Sequence, residues 1–149
     1  MTVAYVGLGS NLGDREALIR RAAELVGARR LSAVIETEPW GRVDQPPFLN
    51  AVAEVETALG PRAFLDRLLA VEQSLGRDRA GERWGPRTID LDLLLFGSLE
   101  LDEPGLRVPH PYLHERRFVL EPLAELAPDA EVPGRGRVQT LLAGLQSGT

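Results

Sequence analysis

Thr88-Ile89-Asp90-Leu91-Asp92-Leu93-Leu94-Leu95-Phe96 is the most β-like run of the sequence, and it completes the pattern that decides the fold. Successive side chains of a strand point to opposite faces, so residues two apart share a face. Asp90 and Asp92 are therefore predicted to point together. The residues predicted to point to the core are Ile89, Leu91, Leu93 and Leu95.

The segments before this run alternate between strand and helix patterns. Strands are predicted at residues 2–8, 31–37, 48–59 and 88–96. Helices are predicted at residues 14–28 and 62–75, where apolar residues recur at spacings of three and four. This βαββαβ order predicts an α+β fold, a ferredoxin-like antiparallel sheet backed by two helices. Shorter pieces after Gly97 are predicted as C-terminal additions, near residues 99–101, 106–108, 115–126 and 140–145.

The composition limits the class of protein. The chain has 149 residues, of which 44% are hydrophobic, and this length predicts one domain spanning residues 1–149. It has no apolar run near the ~18 residues that a membrane span needs, and no signal-peptide pattern. We therefore expect a soluble cytoplasmic protein. The absence of cysteine excludes thiolate nucleophiles and cysteine zinc sites, and is consistent with a reducing compartment.

The charged residues exclude one class of nucleotide enzyme. The net charge is −5, which does not favour general nucleic-acid binding, and all 17 basic residues are arginine. A phosphate-binding loop of the Walker type requires a lysine, so that class of ATPase and kinase is excluded. Any phosphate that binds here is expected to contact arginine, whose planar fork can bind two oxygens at once.

The strongest chemical signal is the segment Arg83-Trp84-Gly85-Pro86-Arg87-Thr88-Ile89-Asp90-Leu91-Asp92. Two adjacent carboxylates repel each other unless a cation lies between them, and magnesium favours carboxylate and phosphate oxygens. A polar outer face of a strand is the alternative interpretation. Four arginines in the preceding residues favour phosphoryl transfer, in which guanidinium groups neutralise developing charge. They are Arg77, Arg79, Arg83 and Arg87.

A glycine-rich segment from Tyr5 to Asp14 begins within the first predicted strand and continues past its end. It resembles a dinucleotide-binding fingerprint superficially, but the third glycine falls at position 13, one residue too late. We expect instead a tight turn from strand to helix that shapes one wall of a site.

A third segment, Thr37 to Asn50, contains three prolines and precedes the third predicted strand. Phe48 and Asn50 share one face of that strand, and an aromatic ring beside an amide suits a flat heterocycle. Taken alone, Phe48 is as consistent with a plain core residue.

Both histidines lie in Pro109-His110-Pro111-Tyr112-Leu113-His114. Their spacing of four suits a zinc pair on a helix, but Pro111 interrupts the segment and the glutamate of a His-Glu-x-x-His motif is missing. A histidine that contacts phosphate is the favoured interpretation. Arg116 and a second aromatic residue, Phe118, follow closely.

These segments, in this order, resemble the 6-hydroxymethyl-7,8-dihydropterin pyrophosphokinase family over about residues 3–128. The most specific is Arg-Trp-Gly-Pro-Arg-Thr-Ile-Asp-Leu-Asp, supported by Gly-Ser-Asn-Leu-Gly-Asp, by Asp-Gln-Pro-x-Phe-Leu-Asn and by Val-Pro-His-Pro. The resemblance implies a ferredoxin-like fold, ATP as the donor and co-substrate, two Mg²⁺ ions, and AMP as the second product.

The resemblance also implies roles for individual residues. Asp90 and Asp92 would hold both metal ions and, with Arg77 and Arg87, form the catalytic set. The pterin would lie between Phe48 and Phe118, with Asn50 and the backbone around Thr37 and Trp40 reading its edge. The ATP-binding positions implied are Glu72, Arg79, Arg83, Trp84, His110 and Arg116. Ala80 and Pro111 depart from residues found in some members, so the ATP contacts near them are not implied.

Two alternatives belong to other classes. RNA-recognition modules share the βαββαβ order, but they need clustered aromatic residues and a basic surface, whereas this chain has 5% aromatic residues and a negative charge. A metal-dependent phosphohydrolase would release phosphate from ATP without a pterin. The expected partners are thus ATP and a reduced pterin, with no nucleic acid and no membrane, bound by a monomer.

Overall fold

The computed structural model describes residues 1–10, 14–37, 48–77 and 89–147. Its main sheet is antiparallel throughout and has five strands. They are β1 (Thr2–Ser10), β2 (Ala28–Leu31), β3 (Ile35–Thr37), β4 (Phe48–Thr57) and β5 (Asp90–Phe96). The order across the sheet is β2-β4-β1-β5, and β3 also pairs with β4. Strand β1 therefore lies at the centre, between β4 and β5.

Within the described ranges, four helices accompany the sheet: α1 (Arg15–Val26), α2 (Pro61–Arg77), α3 (Arg117–Leu126) and α4 (Val138–Ser147). Helix α1 begins where the Asp14 carboxylate accepts the Ala17 N–H at 3.2 Å, and it ends at Gly27, whose φ of 82° lies in the left-handed region. Two small hairpin pairs follow β5, namely β6 (Leu101–Glu103) with β7 (Leu106–Val108), and β8 (Glu131–Val132) with β9 (Gly136–Arg137). A 3₁₀ turn covers Leu113–Glu115.

The sheet is covered on both faces. On one face, α1 and α2 pack with residues such as Ile19 and Phe64 against Val6 and Ala53. On the other face, α3 and the C-terminal segment pack with residues such as Leu120 and Val138 against Val52. The predicted α+β class and antiparallel sheet are confirmed, but the C-terminal additions contribute a second helical layer that the prediction of two backing helices did not include.

The predicted second strand, residues 31–37, is only partly correct, because the structure divides this region into β2 and β3. Ser32 separates them. Its N–H donates to the Val52 carbonyl at 2.9 Å, and its hydroxyl accepts the Val52 N–H at 2.9 Å. The side chain therefore replaces a backbone carbonyl in the ladder. Ala28, predicted to end the first helix, belongs to β2 because Gly27 has already ended that helix.

The predicted alternation along β5 holds as far as Leu94 and fails at Leu95. The pairing shifts there, since Tyr5 pairs with Leu95 while Val6 pairs with Leu93, which is the geometry of a bulge. Leu94 and Leu95 both join the apolar cluster under α3, although Leu95 was predicted to share the core of Leu91 and Leu93. The extra residue in one strand moves the alternation by one position.

One buried carboxylate lies away from the ends of the sheet. Glu54, 3% exposed, accepts hydrogen bonds from the Tyr5 hydroxyl at 2.7 Å and from Arg29 Nε at 3.0 Å. Burial alone would raise the pKa of Glu54, but these hydrogen bonds and the nearby guanidinium groups outweigh it and lower the pKa. Burial and the Glu54 carboxylate raise the pKa of Tyr5 to about 12. The cluster therefore depends on an ionised Glu54.

Among the described residues, no helix is long and apolar enough to cross a membrane.

Candidate active site

A pocket of about 220 Å³ opens on the sheet face that α3 covers. It is formed by the adjacent strands β4, β1 and β5, together with the segment that leads into α3 and the first turns of that helix. The residues that line it are Gly7, Leu8, Gly9, Phe48, Asn50, Ala51, Val52, Asp90, Asp92, Leu94, His110, Arg116, Phe118 and Val119. Seven of the residues predicted for the site meet here, namely Phe48, Asn50, Asp90, Asp92, His110, Arg116 and Phe118.

Two glycines of the central strand form the floor of this pocket. Gly9 pairs with Asn50 on β4 and with Asp90 on β5, and Gly7 pairs with Asp92 on β5. The row of residues between the amide and the carboxylates therefore carries no side chain. A Cβ placed on Gly9 would lie 2.9 Å from Oδ1 of Asn50, closer than packed atoms tolerate. Glycine at position 9 thus keeps the pocket open beside Asn50.

The sequence interpretation expected this segment to shape one wall of a site, but placed Gly9 in a turn from strand to helix. Gly7 lies in the first strand as predicted, whereas Gly9 lies in the strand as well because β1 runs to Ser10. The signal in the sequence is their spacing of two, which places both glycines on one face of a strand.

The predicted carboxylate pair is confirmed as a geometric pair. Asp90 is half-buried, Asp92 is exposed, and both line the pocket, whereas Leu91 between them points into the opposite core. No group of three or more His, Cys, Asp or Glu side chains suits a metal within the ranges that the structure describes. Two carboxylates alone fit magnesium, which takes one or two protein carboxylates and completes its shell with water and substrate phosphate.

Two aromatic side chains line the pocket beside its polar groups. Phe48 opens β4 and Phe118 lies in the first turn of α3, so the two rings come from different elements that meet only in the tertiary structure. Asn50 follows Phe48 on the same strand and lines the same pocket. Two aromatic rings and one amide offer stacking and a pair of donor and acceptor groups to a flat polar ring.

His110 is fixed over the pocket by two backbone contacts. Its own N–H donates to the Leu94 carbonyl of β5 at 2.9 Å, and its Nδ1 accepts the N–H of Tyr112 at 3.2 Å. Burial, together with the charges of Arg116 and Arg107, lowers the pKa of His110 below 6.5, against the opposing effect of Asp92. The imidazole is therefore neutral at pH 7. Because Nδ1 accepts a hydrogen bond, Nε2 carries the proton and acts as a donor.

Arg116 supplies positive charge beside the carboxylates. Its guanidinium carbon lies 5.2 Å from the centre of the Tyr112 ring and 5.8 Å from the centre of the Phe118 ring. Both distances allow cation–π attraction, which holds the arginine at the pocket rim. The guanidinium group of Arg116 can donate charge-assisted hydrogen bonds to a phosphate that binds near the two carboxylates.

His114 does not line the pocket that His110 shares with the carboxylates. His114 Nε2 lies 3.3 Å from Glu115 Oε2, and His114 lines a second pocket of about 240 Å³ with Arg107 and Arg135. His110 lines both pockets.

Other predicted site residues are not among those that line the pocket, or their side chains fall outside what the structure describes, as for Arg77. Glu72 does not line it; its Oε2 accepts the Leu91 N–H at 2.8 Å. Thr37 ends β3 and pairs with Phe48, and Arg77 ends α2. The residues that lie outside the described ranges are Trp40, Arg79, Arg83, Trp84 and Arg87. Their assignments stay predictions.

The sequence matches a known protein family and individual relatives within it. The family model described as 7,8-dihydro-6-hydroxymethylpterin-pyrophosphokinase (HPPK) matches residues 5–128. The chain is 48% identical over 145 residues to the 2-amino-4-hydroxy-6-hydroxymethyldihydropteridine pyrophosphokinase of Pseudomonas aeruginosa, covering 93% of this chain and 89% of the relative. It is 45% identical over 135 residues to the protein of the same name from Bacillus subtilis, covering 87% and 80%.

The fold also has relatives among solved structures. The crystal structure of Plasmodium falciparum HPPK-DHPS wild type with SDX-DHP superposes with a TM-score of 0.74 at 16% sequence identity. The alignment covers 99% of this chain but only 44% of the longer Plasmodium chain. At this identity the likeness concerns the fold alone.

Proposed function

The chain belongs to the 7,8-dihydro-6-hydroxymethylpterin-pyrophosphokinase family, and we propose that the pocket on its sheet is where the reaction of that family takes place. The protein transfers diphosphate from ATP to the hydroxymethyl group of 6-hydroxymethyl-7,8-dihydropterin, a step of folate biosynthesis. The products are the pterin diphosphate and AMP. One observation carries the proposed location: the aromatic and amide residues line the same pocket as the carboxylate pair.

The pterin binds between Phe48 and Phe118, above the glycine floor. The flat bicyclic ring stacks on the aromatic side chains, and Asn50 donates to and accepts from its pyrimidine edge. The backbone near Thr37 and Trp40 adds contacts to that edge. This arrangement directs the hydroxymethyl group toward Asp90 and Asp92, which lie across β1 from Asn50.

The carboxylates of Asp90 and Asp92 would hold magnesium, in this proposal two ions, together with ATP phosphate oxygens. When bound, magnesium polarises the phosphoryl oxygens and favours loss of the hydroxyl proton. The pterin hydroxymethyl oxygen forms a bond to the β-phosphorus as its proton passes to solvent water. The bond from that phosphorus to the oxygen bridging to the α-phosphate breaks, and the electron pair leaves on AMP.

The cationic and neutral donors act on the phosphate chain. Arg116 binds phosphate oxygens at the rim, and the Nε2–H of neutral His110 donates to one of them. Arg77 and Arg87 complete the catalytic set in this proposal. The nucleotide itself is bound with the help of Arg79, Arg83 and Trp84, for which the sequence motif is the support.

The fold, the composition and the sequence motifs support further proposals about the whole protein. The strand order β2-β4-β1-β5, with α1 connecting β1 to β2 and α2 connecting β4 to β5, supports a ferredoxin-like arrangement. The chain acts as a single pyrophosphokinase domain and as a monomer, without nucleic acid or membrane. A place in the cytoplasm is supported by the use of ATP and the absence of cysteine from the sequence.

An AMP assay tests the function directly. The protein is incubated with ATP and Mg²⁺, with and without the reduced pterin, and nucleotides are separated by chromatography. We expect AMP only when the pterin is present. Release of phosphate and ADP without pterin would identify a phosphohydrolase instead, and would contradict the proposal.

A further inference from the structure

The strand that carries both aspartates is an edge strand. β5 pairs with β1 on one side only, and no other strand of the described sheet lies beyond it. Its outward backbone groups therefore need other partners, since unpaired groups at a covered edge are costly. Two contacts supply them: His110 N–H donates to the Leu94 carbonyl, and Glu72 Oε2 accepts the Leu91 N–H.

The contact from Glu72 is unusual for a helix residue. Glu72 follows Leu68 by four positions on α2, so it shares the helix face that packs on the sheet. Its carboxylate is half-buried there and lies 2.8 Å from the Leu91 nitrogen. A hydrogen bond to an ionised acceptor is about twice as strong as a neutral one. The Glu72 carboxylate therefore forms a strong hydrogen bond with the backbone of β5.

The position of that hydrogen bond matters because of its neighbours. The Leu91 N–H belongs to the peptide group that joins Asp90 to Leu91, and Asp92 follows directly. Asp90 is the first residue of β5 and pairs with Gly9 of β1, so the Glu72 contact holds the start of the strand from its other edge. A rotation of this peptide group would turn the Asp90 side chain away from the pocket and change its distance to Asp92.

We infer that Glu72 is a positioning residue. It holds the peptide group that joins Asp90 to Leu91, so that the carboxylates of Asp90 and Asp92 both face the pocket. This inference rests on the proposed function of that pocket. It differs from the role that the sequence resemblance implied for Glu72, a contact to the nucleotide. Partners of metal-binding carboxylates fix their orientation, and the loss of such a partner typically costs about 10- to 100-fold in metal affinity or activity.

Three variants separate the two roles. Glu72→Met removes the acceptor and keeps a long flexible side chain, whereas Glu72→Gln keeps an amide oxygen that can accept the same hydrogen bond without the charge. Gln73→Met is the matched control, because Gln73 is the next residue of α2 and is exposed. Thermal unfolding of each variant identifies any general loss of folding.

The first measurement is turnover against Mg²⁺ concentration at saturating ATP and pterin. We expect Glu72→Met to raise the Mg²⁺ concentration for half-maximal turnover by about 10- to 100-fold. Glu72→Gln should lose much less, and Gln73→Met should match the parent protein. If Glu72→Gln is as damaging as Glu72→Met and raises KM for ATP instead, Glu72 is a nucleotide contact and the inference is wrong. An unchanged Mg²⁺ dependence in Glu72→Met would also overturn it.

The second measurement does not depend on activity. Amide hydrogen exchange of Leu91, followed by nuclear magnetic resonance in the absence of substrates, should be slow in the parent and in Glu72→Gln. In Glu72→Met it should be faster by about tenfold or more. If Glu72→Met does not fold, rapid exchange of Leu91 in the folded Glu72→Gln variant would refute the inference, and retained protection would support it. If the parent protein makes no AMP, the proposed function is wrong. The exchange measurement still decides whether Glu72 holds the Leu91 N–H, because it is made without substrates.

Discussion

Replacement of Gly9 by alanine tests whether the glycine floor serves pterin binding. The φ of Gly9 is not positive, so alanine can adopt the same backbone conformation. The new Cβ would lie 2.9 Å from Asn50 Oδ1. The nearest atom is the end of a side chain, so Asn50 is expected to move while the strand stays in place. Folding should therefore be retained, and alanine restricts the unfolded chain enough to add about 0.4–1 kcal/mol of stability.

The displaced amide can no longer meet the pterin edge with good geometry. Losing one or two such hydrogen bonds costs about 1–3 kcal/mol, which corresponds to roughly a 5- to 150-fold weaker pterin affinity. Calorimetric titration with the reduced pterin measures this loss, and titration with an unreactive ATP analogue should give an affinity close to that of the parent.

Gly7→Ala provides the matched control on the same strand face. Its Cβ would meet Leu94 Cδ2 at 3.5 Å, an ordinary packing distance, and no pterin-reading group lies among its nearest atoms. Its loss of pterin affinity should be clearly smaller than that of Gly9→Ala. Parental affinity in Gly9→Ala, or equal losses in the two variants, would refute the assignment of Asn50 as the group that reads the pterin.

Three further results are expected. Asp90→Asn and Asp92→Asn should each lower turnover by at least roughly a hundredfold, because several kcal/mol of metal stabilisation are lost. Calorimetry should still detect pterin binding in both variants. Near-parental turnover at ordinary Mg²⁺ concentrations would contradict the metal assignment. Phe48→Ala should weaken pterin binding by about 1–3 kcal/mol and leave ATP binding nearly intact, and equal damage to both affinities would indicate a structural role. Because the folded protein lowers the pKa of Glu54, its contribution to stability is present above the ordinary value of 4.5 and disappears as the pH falls through the folded value. Glu54→Gln should therefore reduce the free energy of unfolding by about 1–3 kcal/mol at pH 7 and by much less at pH 3. Thermal unfolding at both pH values measures these losses. Equal losses at the two pH values would argue against an ionised Glu54.

The sequence predicted the elements that depend on local periodicity. The spacing of Asp90 and Asp92 placed both carboxylates on one face of a strand, and the structure confirms that they line one pocket. The same rule paired Phe48 with Asn50. It did not reveal the interruption at Ser32, because a hydroxyl that replaces a ladder partner leaves no periodic signal.

The role of Glu72 shows the limit of motif reasoning. Its place in the motif pattern implied a nucleotide contact, which stays a prediction, and gave no sign that its carboxylate accepts the N–H of Leu91, nineteen positions further along the chain. A carboxylate on the apolar face of α2 was visible in the sequence, but its partner was not, since only the packing of α2 on β5 brings the two together.

The sequence by itself determined the family, the α+β class and which residues share a strand face, because these follow from the order of motifs and from side-chain periodicity. Only the tertiary structure decided that Gly9 lies between Asn50 and Asp90, and that Phe118, Arg116 and His110 close over them. Periodicity specifies the face of a strand but not its neighbours or their register. Those depend on how β1 inserts between β4 and β5, and on the second helical layer that the C-terminal segment adds.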